Sequence, residues 1–152
     1  MAYADNDFYI KGYFGEDLEP NSADRWLDMA SDELDMLTFG RLTFAFPTFE
    51  PHAVKVKKAV CAVADALFHI DEQQKAAAAK KADDGSYRGA VASISSGRES
   101  ISFSAVGASA SSYAAAASNE AERAKLIGSI VSKYLANIPD ANGVNLLYAG
   151  VR

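Results

Sequence analysis

Cysteine, histidine and long apolar runs are scarce in this chain of 152 residues, and each scarcity argues against a class of protein. The one cysteine, Cys61, cannot form a disulfide within the chain, which suits a reducing compartment. The two histidines, His52 and His69, lack the spacing of a zinc site. No apolar run reaches the roughly 20 residues of a membrane span, and the N-terminus lacks the basic start and apolar core of a signal peptide. We therefore expect no metal, no cofactor and no membrane partner.

The sequence also carries only weak signals for a catalytic site or for a surface that reads nucleic acid. Cys61 lies among apolar neighbours, which predicts a small buried side chain rather than a nucleophile. Asp83 and Asp84 adjoin two lysines, a pattern typical of solvated surface. The bases at 55–58 and 80–98 are not interleaved with aromatic residues, so they allow only non-specific contact with phosphate. We expect no catalytic residue and no enzyme.

Acidic residues are concentrated in the first quarter of the chain. Residues 1–38 hold ten of the twenty acids against two bases, whereas the remainder holds thirteen bases against ten acids. A chain with one acidic end and one mildly basic end can dock head to tail with copies of itself. A solvated acidic face would explain the same pattern, so both interpretations stay open.

The first segment with helical periodicity is Asn21–Leu42 (NSADRWLDMASDELDMLTFGRL). Asn21 or Ser22 can cap its N-terminus, and acids in its first turn would suit the helix dipole. Gly40 lies where a left-handed cap is expected. The segment is predicted to be an amphipathic helix with its apolar face in the core.

Two further segments repeat apolar residues at helical spacing. One begins near Pro51 and continues through the alanines at 76–79, and the other begins by Asn119 at the latest. Asn119 and Glu122 are predicted to form a capping box, and Pro139 ends the third helix. The apolar stripes of the three helices predict these core residues: Trp26, Leu34, Val60, Val63, Leu67, Ile127, Val131 and Leu135.

The remaining segments are predicted to be irregular or extended. Residues 1–20 form an aromatic N-terminal arm with one short helical turn at most, and 41–49 form an extended connector. Residues 90–105 alternate in the manner of a hairpin with its turn near Gly97, and 144–152 form an apolar C-terminal tail. The predicted fold is mainly α: a small bundle of three main helices, with a β-hairpin or long loop between the second and third. All 152 residues are expected to form a single domain.

Five motifs follow one another along the chain: YADNDFYIKGYFG, RWLDMASDELDMLTFGRL, VKKAVCAVADAL, SISSGRESISFS and KYLANIPDANGVNLLYAGVR. In this order they resemble the small head-tail connector proteins of long-tailed bacteriophages and prophages, also called adaptor or head-completion proteins. The resemblance spans most of the chain. The alanine-rich stretches at 76–79 and 114–117, and the sequence at 138–140, depart from the family pattern.

The resemblance implies a subunit that assembles as a ring, commonly of twelve copies, beneath the portal at the capsid vertex. Such a ring extends the channel through which the genomic DNA passes without sequence-specific contact. It also offers a platform for the stopper or tail-completion protein. The implied partners are further copies of this chain, the portal and the stopper, and the implied place is the neck of the virion, after assembly in the bacterial cytoplasm.

The arm, the connector, the hairpin and the tail supply the candidate residues for contact with another subunit or with the portal. Aromatic side chains on a terminal arm usually pack on something, either their own core or a neighbour. Three consecutive large residues in the tail cannot all face one side of a strand or helix. The candidates are Tyr9, Tyr13, Phe14, Arg41, Arg98, Leu146, Leu147, Tyr148 and Arg152.

Two alternatives stay open. One is a stand-alone cytoplasmic helical module that binds protein or nucleic acid, and the other is a different phage neck or tail-completion protein. A stand-alone module would keep a constant small mass at all concentrations and would bind DNA with a salt-sensitive affinity. A connector would instead oligomerise and bind portal particles.

Overall fold

The computed structural model describes residues 2–82, 94–96, 99–101 and 111–150, and for 79–82 and the two segments between 94 and 101 it describes the backbone alone. The described residues are mainly helical, which confirms the mainly α fold class. The finer prediction, a three-helix bundle with a hairpin, stays a prediction.

Six α-helices and two short strands follow one another in the described part of the chain. They are α1 (Asn6–Phe8), which continues as a π-helix over Tyr9–Tyr13, α2 (Pro20–Leu37), α3 (Arg41–Phe44), α4 (Glu50–Ala82), β1 (Ile94–Ser96), β2 (Glu99–Ile101), α5 (Ser112–Ser118) and α6 (Glu120–Leu135). None of the helices within these ranges has the length and apolar content needed to cross a lipid bilayer.

The chain divides into two compact units. Unit 1 comprises Met1–Phe68 with Ala124–Arg152, and unit 2 comprises His69–Arg123. Both α4 and α6 contribute residues to each unit. The prediction of a single domain over the whole chain stays a prediction.

A cluster of buried apolar side chains forms the core of unit 1. All eight predicted core residues belong to it: Trp26, Leu34, Val60, Val63, Leu67, Ile127, Val131 and Leu135. Trp26, 6% exposed, meets the ring of Phe68 edge-on at 5.9 Å between ring centres. Burying each large apolar side chain contributes roughly 1.5–3 kcal/mol. The apolar stripes of α2, α4 and α6 therefore supply most of the stability of this unit.

The start of α2 differs from its prediction. Glu19 occupies the N-cap position without a side-chain hydrogen bond, Pro20 is the first helical residue, and the first turn holds no acid. Proline fits this position because its fixed φ suits a helix and its missing N–H would have had no partner in the first turn. The predicted caps, Asn21 and Ser22, were therefore wrong.

Two segments of unit 1 are more helical than predicted. Asp5 caps α1 by accepting a hydrogen bond from the N–H of Phe8 at 2.8 Å, and the π-helix that follows extends the arm beyond one turn. Arg41–Phe44, predicted as part of an extended connector, forms α3 instead. Its N-cap is Gly40 in the left-handed region, which starts the new helix directly after the turn.

Helix α6 begins close to its predicted position but with a different cap. The side-chain oxygen of Asn119 accepts a hydrogen bond from the N–H of Ala121 at 2.9 Å, so Asn119 is an N-cap as predicted. Its own N–H donates to the carbonyl of Ala115 at 3.0 Å, in the last turn of α5. The N–H that Glu122 would accept in a capping box is therefore already used, and this part of the prediction was wrong.

In unit 2, the C-terminal part of α4 lies beside α5. The rings of His69 and Tyr113 are 4.9 Å apart, and the side-chain amide of Gln74 donates to the carbonyl of Ala117 at 3.3 Å. Strands β1 and β2 pair antiparallel, with Ile94 opposite Ile101, Ser95 opposite Ser100 and Ser96 opposite Glu99. The rest of the predicted hairpin, at 90–93, 97–98 and 102–105, lies outside the described residues.

Candidate interaction surface

Unit 1 exposes large apolar side chains that a protein interior would normally hold. Single exposed apolar residues need no explanation, but neighbouring ones mark interaction sites. The exposed set is Ile10, Phe14, Met29, Met36, Phe39, Phe44, Phe49 and Tyr148. Two places stand out: an open cleft lined by Phe39 and Phe44, called the cleft, and residues 14–17 of the arm, called the Phe14 turn.

The cleft combines aromatic walls with a buried cation. It has a volume of about 310 Å³ and is lined by Phe39, Arg41, Phe44 and Gly150. The side chains of Phe39 and Phe44 are 62% and 86% exposed. Arg41, in contrast, is only 8% exposed. Aromatic and arginine side chains are the types most often found at the centres of protein interfaces.

The guanidinium of Arg41 is incompletely hydrogen-bonded. Its Nη2 donates to the backbone carbonyl of Tyr148 at 3.0 Å and to that of Gly150 at 3.5 Å. Its Nε is buried and has no hydrogen-bond partner among the described residues. A buried donor left without an acceptor costs about 1–3 kcal/mol. Arg41 also lines the cleft, and a carboxylate is the geometric match for a guanidinium.

The turn between α2 and α3 sets one aromatic wall of the cleft. Helix α2 ends at Leu37, shortly before the left-handed cap predicted at Gly40, and the buried hydroxyl of Thr38 donates back into its last turn at 2.8 Å. Phe39 and Gly40 then take left-handed backbone angles, with φ of 55° and 72°. Glycine adopts this conformation at little cost, whereas a bulky L residue loses roughly 1–2 kcal/mol. The strained turn directs the Phe39 ring to solvent.

The C-terminal segment that Arg41 holds is itself anchored. Asp140, 4% exposed, accepts hydrogen bonds from the N–H groups of Asn142 at 2.8 Å and Val144 at 2.9 Å. Leu146 is fully buried in the core of unit 1. Tyr148, two residues later, is 57% exposed. A buried anchor therefore precedes an exposed aromatic side chain at the end of the described chain.

Tyr9 fixes the backbone of the Phe14 turn. Its hydroxyl donates to the carboxylate of Asp65 at 2.6 Å and accepts from the N–H groups of Asp17 and Leu18, both at 3.2 Å. The residue is fully buried. A Cβ atom at Gly15 would collide with the Tyr9 ring, so only glycine fits there. One hydroxyl thus connects the arm to α4 and holds the N–H groups of Asp17, at the end of the turn, and of Leu18, the next residue.

Phe14 shares the unusual conformation of Phe39. Its φ is 61°, in the left-handed region, and its side chain is 78% exposed. The N–H of Gly15 donates to the carbonyl of Tyr9 at 2.9 Å and closes the turn. Bulky residues rarely adopt a positive φ, and strained backbone is concentrated at functional sites. The chain therefore holds two aromatic rings in solvent at a cost in backbone energy.

Burial raises the pKa values of several groups beneath these surfaces. It raises the pKa of Tyr3 to about 12. Burial, and then the nearby carboxylate of Asp65, raise the pKa values of Tyr9 and Tyr13 above the usual tyrosine range. The same two causes raise the pKa of the Cys61 thiol to about 12. All four groups are therefore neutral near pH 7, and Cys61 is a buried thiol as its neighbours predicted.

The predicted contact residues differ widely in exposure. Those that are exposed or half-buried are Phe14, Tyr148, Tyr13 and Leu147. Arg41 is buried but lines the cleft. Arg98 and Arg152 lie outside the described residues.

Tyr9 and Leu146 were predicted as contact residues, and the structure instead buries both in unit 1. The Tyr9 hydroxyl has a carboxylate acceptor within its own chain, which makes burial of a tyrosine favourable. Leu146 is drawn inward because its N–H donates to the carbonyl of Ile138 at 2.9 Å. Both residues therefore lie beneath the exposed segments, the Phe14 turn and the C-terminal segment, and are not themselves exposed.

Phe39 and Phe44 were not predicted to be surface residues. Phe39 lay inside the predicted helix and Phe44 inside the predicted extended connector. A useful signal was present: an aromatic residue directly before Gly40, outside the apolar stripe of the helix. It indicated that the chain turns there, and that the Phe39 side chain does not follow the stripe into the core.

No group of three or more histidine, cysteine or acidic side chains is placed to hold a metal ion within the ranges that the structure describes. Comparison with protein-family models, with curated proteins and with solved structures finds no match to this chain. Its function is therefore argued from its own residues.

Proposed function

We propose that the protein is a structural virion protein, a head-tail connector that forms a ring beneath the portal. The ring extends the DNA channel and gives the stopper or tail a platform. Five motifs in the order found in that family support the proposal, and a mainly helical chain is compatible with it. In this proposal α2, α4 and α6 are the three main helices of the bundle, and residues 90–105 form its hairpin.

The observation that carries the proposal is the pair of exposed aromatic residues in strained backbone, Phe14 and Phe39. In an isolated subunit each costs roughly 1–2 kcal/mol of backbone energy and leaves apolar surface in water. In an assembly, burying a phenylalanine side chain contributes roughly 1.5–3 kcal/mol, which offsets that cost. The two residues are therefore explained by contact with a partner and not by the stability of the free chain.

The same surface favours a protein partner over nucleic acid. Residues 1–38, which include the Phe14 turn, hold ten acids against two bases. Such a charge balance repels phosphate, whereas nucleic-acid-binding surfaces are strongly basic. A stand-alone nucleic-acid-binding module is the weaker candidate on this ground.

The proposal is tested by mixing the purified full-length chain with portal particles from the same genome. Co-sedimentation of the chain with the particles in a fixed, saturable ratio supports a connector. Portal particles from an unrelated phage serve as the control and should not retain the chain. A chain that stays monomeric and never sediments with its own portal would overturn the proposal.

A further inference from the structure

We infer that the cleft of one copy receives the Phe14 turn of a second copy, an inference that rests on the proposed function. In this contact the Phe14 ring packs against Phe39 and Phe44. The carboxylate of Glu16 accepts hydrogen bonds from the guanidinium of Arg41. The occupant of the cleft is thus a second copy of this chain.

The apolar half of the contact follows from exposure. Phe14 is 78% exposed on one surface, and Phe44 is 86% exposed on the other. Aromatic rings pair favourably when their centres lie about 4.5–7 Å apart in offset or edge-to-face geometry. A cleft of about 310 Å³ with two aromatic walls gives a single ring such neighbours.

The polar half of the contact follows from charge. The Arg41 Nε lacks a partner among the described residues, and Glu16 is an exposed acid two positions beyond Phe14. A charge-assisted pair between a carboxylate and a guanidinium is among the stronger hydrogen-bonded contacts in proteins. The contact would therefore place an acidic side chain beside the cation that lines the cleft.

The spacing of the two halves agrees. Arg41 and Phe44 are three residues apart on α3, which places their Cβ atoms roughly 5–6 Å apart. Phe14 and Glu16 are two positions apart, so their Cα atoms are at most about 7 Å apart. One short turn can therefore reach the aromatic wall and the arginine together.

The contact is heterologous, because the cleft and the Phe14 turn are different parts of unit 1. Each copy in such a contact keeps a free cleft or a free turn, so further copies can add. Heterologous contacts close into a ring when the rotation between neighbours permits it. In this contact the acidic first 38 residues supply the segment that enters the cleft of the neighbouring copy in a head-to-tail interface.

The test uses three variants of the full-length chain. The turn variant carries Phe14→Ser and Glu16→Lys, and the cleft variant carries Phe39→Ser and Phe44→Ser. The control variant carries Phe49→Ser and Asp24→Lys, which also remove one exposed phenylalanine and reverse one exposed acid. Circular dichroism first establishes that each variant is folded. Sedimentation velocity then measures self-association up to roughly 1 mM chain, the range of weak contacts.

The inference predicts that the wild type and the control variant associate alike, and that the turn and cleft variants each lose association by roughly tenfold or more. An equimolar mixture of the two defective variants should form dimers and nothing larger, because the mixture contains one intact turn and one intact cleft per pair. Association of either variant at wild-type strength would overturn the inference. A monomeric mixture beside an associating wild type, or a wild type that stays monomeric to roughly 1 mM, would overturn it as well.

Portal binding separates failure of the inference from failure of the proposed function. If the turn and cleft variants both self-associate and still bind portal particles, the contact is wrong and the connector role stands. If the cleft variant self-associates but loses the portal, the occupant of the cleft is the portal, which also overturns the inference. If the wild type self-associates as predicted but does not bind the portal, the contact between copies stands and the connector role is wrong.

Discussion

Replacement of Tyr9 by phenylalanine tests how the Phe14 turn is held. The change removes one hydroxyl and leaves the buried ring in place. The bond that this hydroxyl donates to the Asp65 carboxylate is a charged hydrogen bond, worth about 1.5–3 kcal/mol. The buried Leu18 also loses the acceptor of its N–H, which costs about 1–3 kcal/mol, whereas water can reach the exposed Asp17. We expect Tyr9→Phe to lower the free energy of unfolding by about 3–5 kcal/mol.

The measurement is equilibrium unfolding in urea, followed by circular dichroism, with Tyr148→Phe as the matched control. Tyr148 is 57% exposed, so its variant should change stability by no more than about 0.5 kcal/mol. For a chain of this length the Tyr9 variant should melt on the order of 10 °C lower. A loss below about 1 kcal/mol would contradict this expectation, because it would mean that the hydroxyl does not hold the arm to α4.

Three further predictions concern the core, the strained turn and the buried titratable groups. Trp26→Ala should lower the free energy of unfolding by about 3–5 kcal/mol, measured by urea unfolding. An unchanged value would show that this side chain is not part of the core. Phe39→Gly should be more stable than Phe39→Ala by about 1 kcal/mol, because glycine tolerates the positive φ, and the opposite order, usual inside helices, would contradict the left-handed conformation. The raised pKa values of Tyr3, Tyr9, Tyr13 and Cys61 mean that folding favours their protonated forms. Stability measured by urea unfolding against pH should therefore be flat from neutral to about pH 8 and should fall as the pH rises further, and stability that persists to about pH 12 would contradict the burial of these groups.

The sequence predicted the elements whose signal is periodic and local. Val60, Val63 and Leu67 recur at helical spacing, and each lies in the core of unit 1. An apolar stripe is buried wherever the helix packs, so burial of these residues can be predicted without knowing which element covers them. The start of α6 at Asn119 was also predictable, because an N-cap acts within one turn of the helix and its signal is therefore local.

The candidate surface could not be predicted in the same way, because it depends on distant contacts. Tyr9 is buried through a bond to Asp65, 56 positions away, and the Arg41 side chain is held by the Tyr148 carbonyl, 107 positions away. Neither pairing leaves a periodic mark in the sequence. Nor does local propensity favour a left-handed phenylalanine, so Phe39 could not be placed at a turn from its residue type. Local rules failed at these positions, which either line the candidate surface or support it from below.

We propose that the chain is a subunit of a ring beneath the portal, and imaging the chain on portal particles tests this proposal. Portal particles from the same genome, saturated with the full-length chain, are averaged in negative stain and compared with particles alone. The account predicts an added ring of density on one face of each particle, coaxial with its channel. Particles that look the same with and without the chain, while the chain remains monomeric in the supernatant, would contradict it.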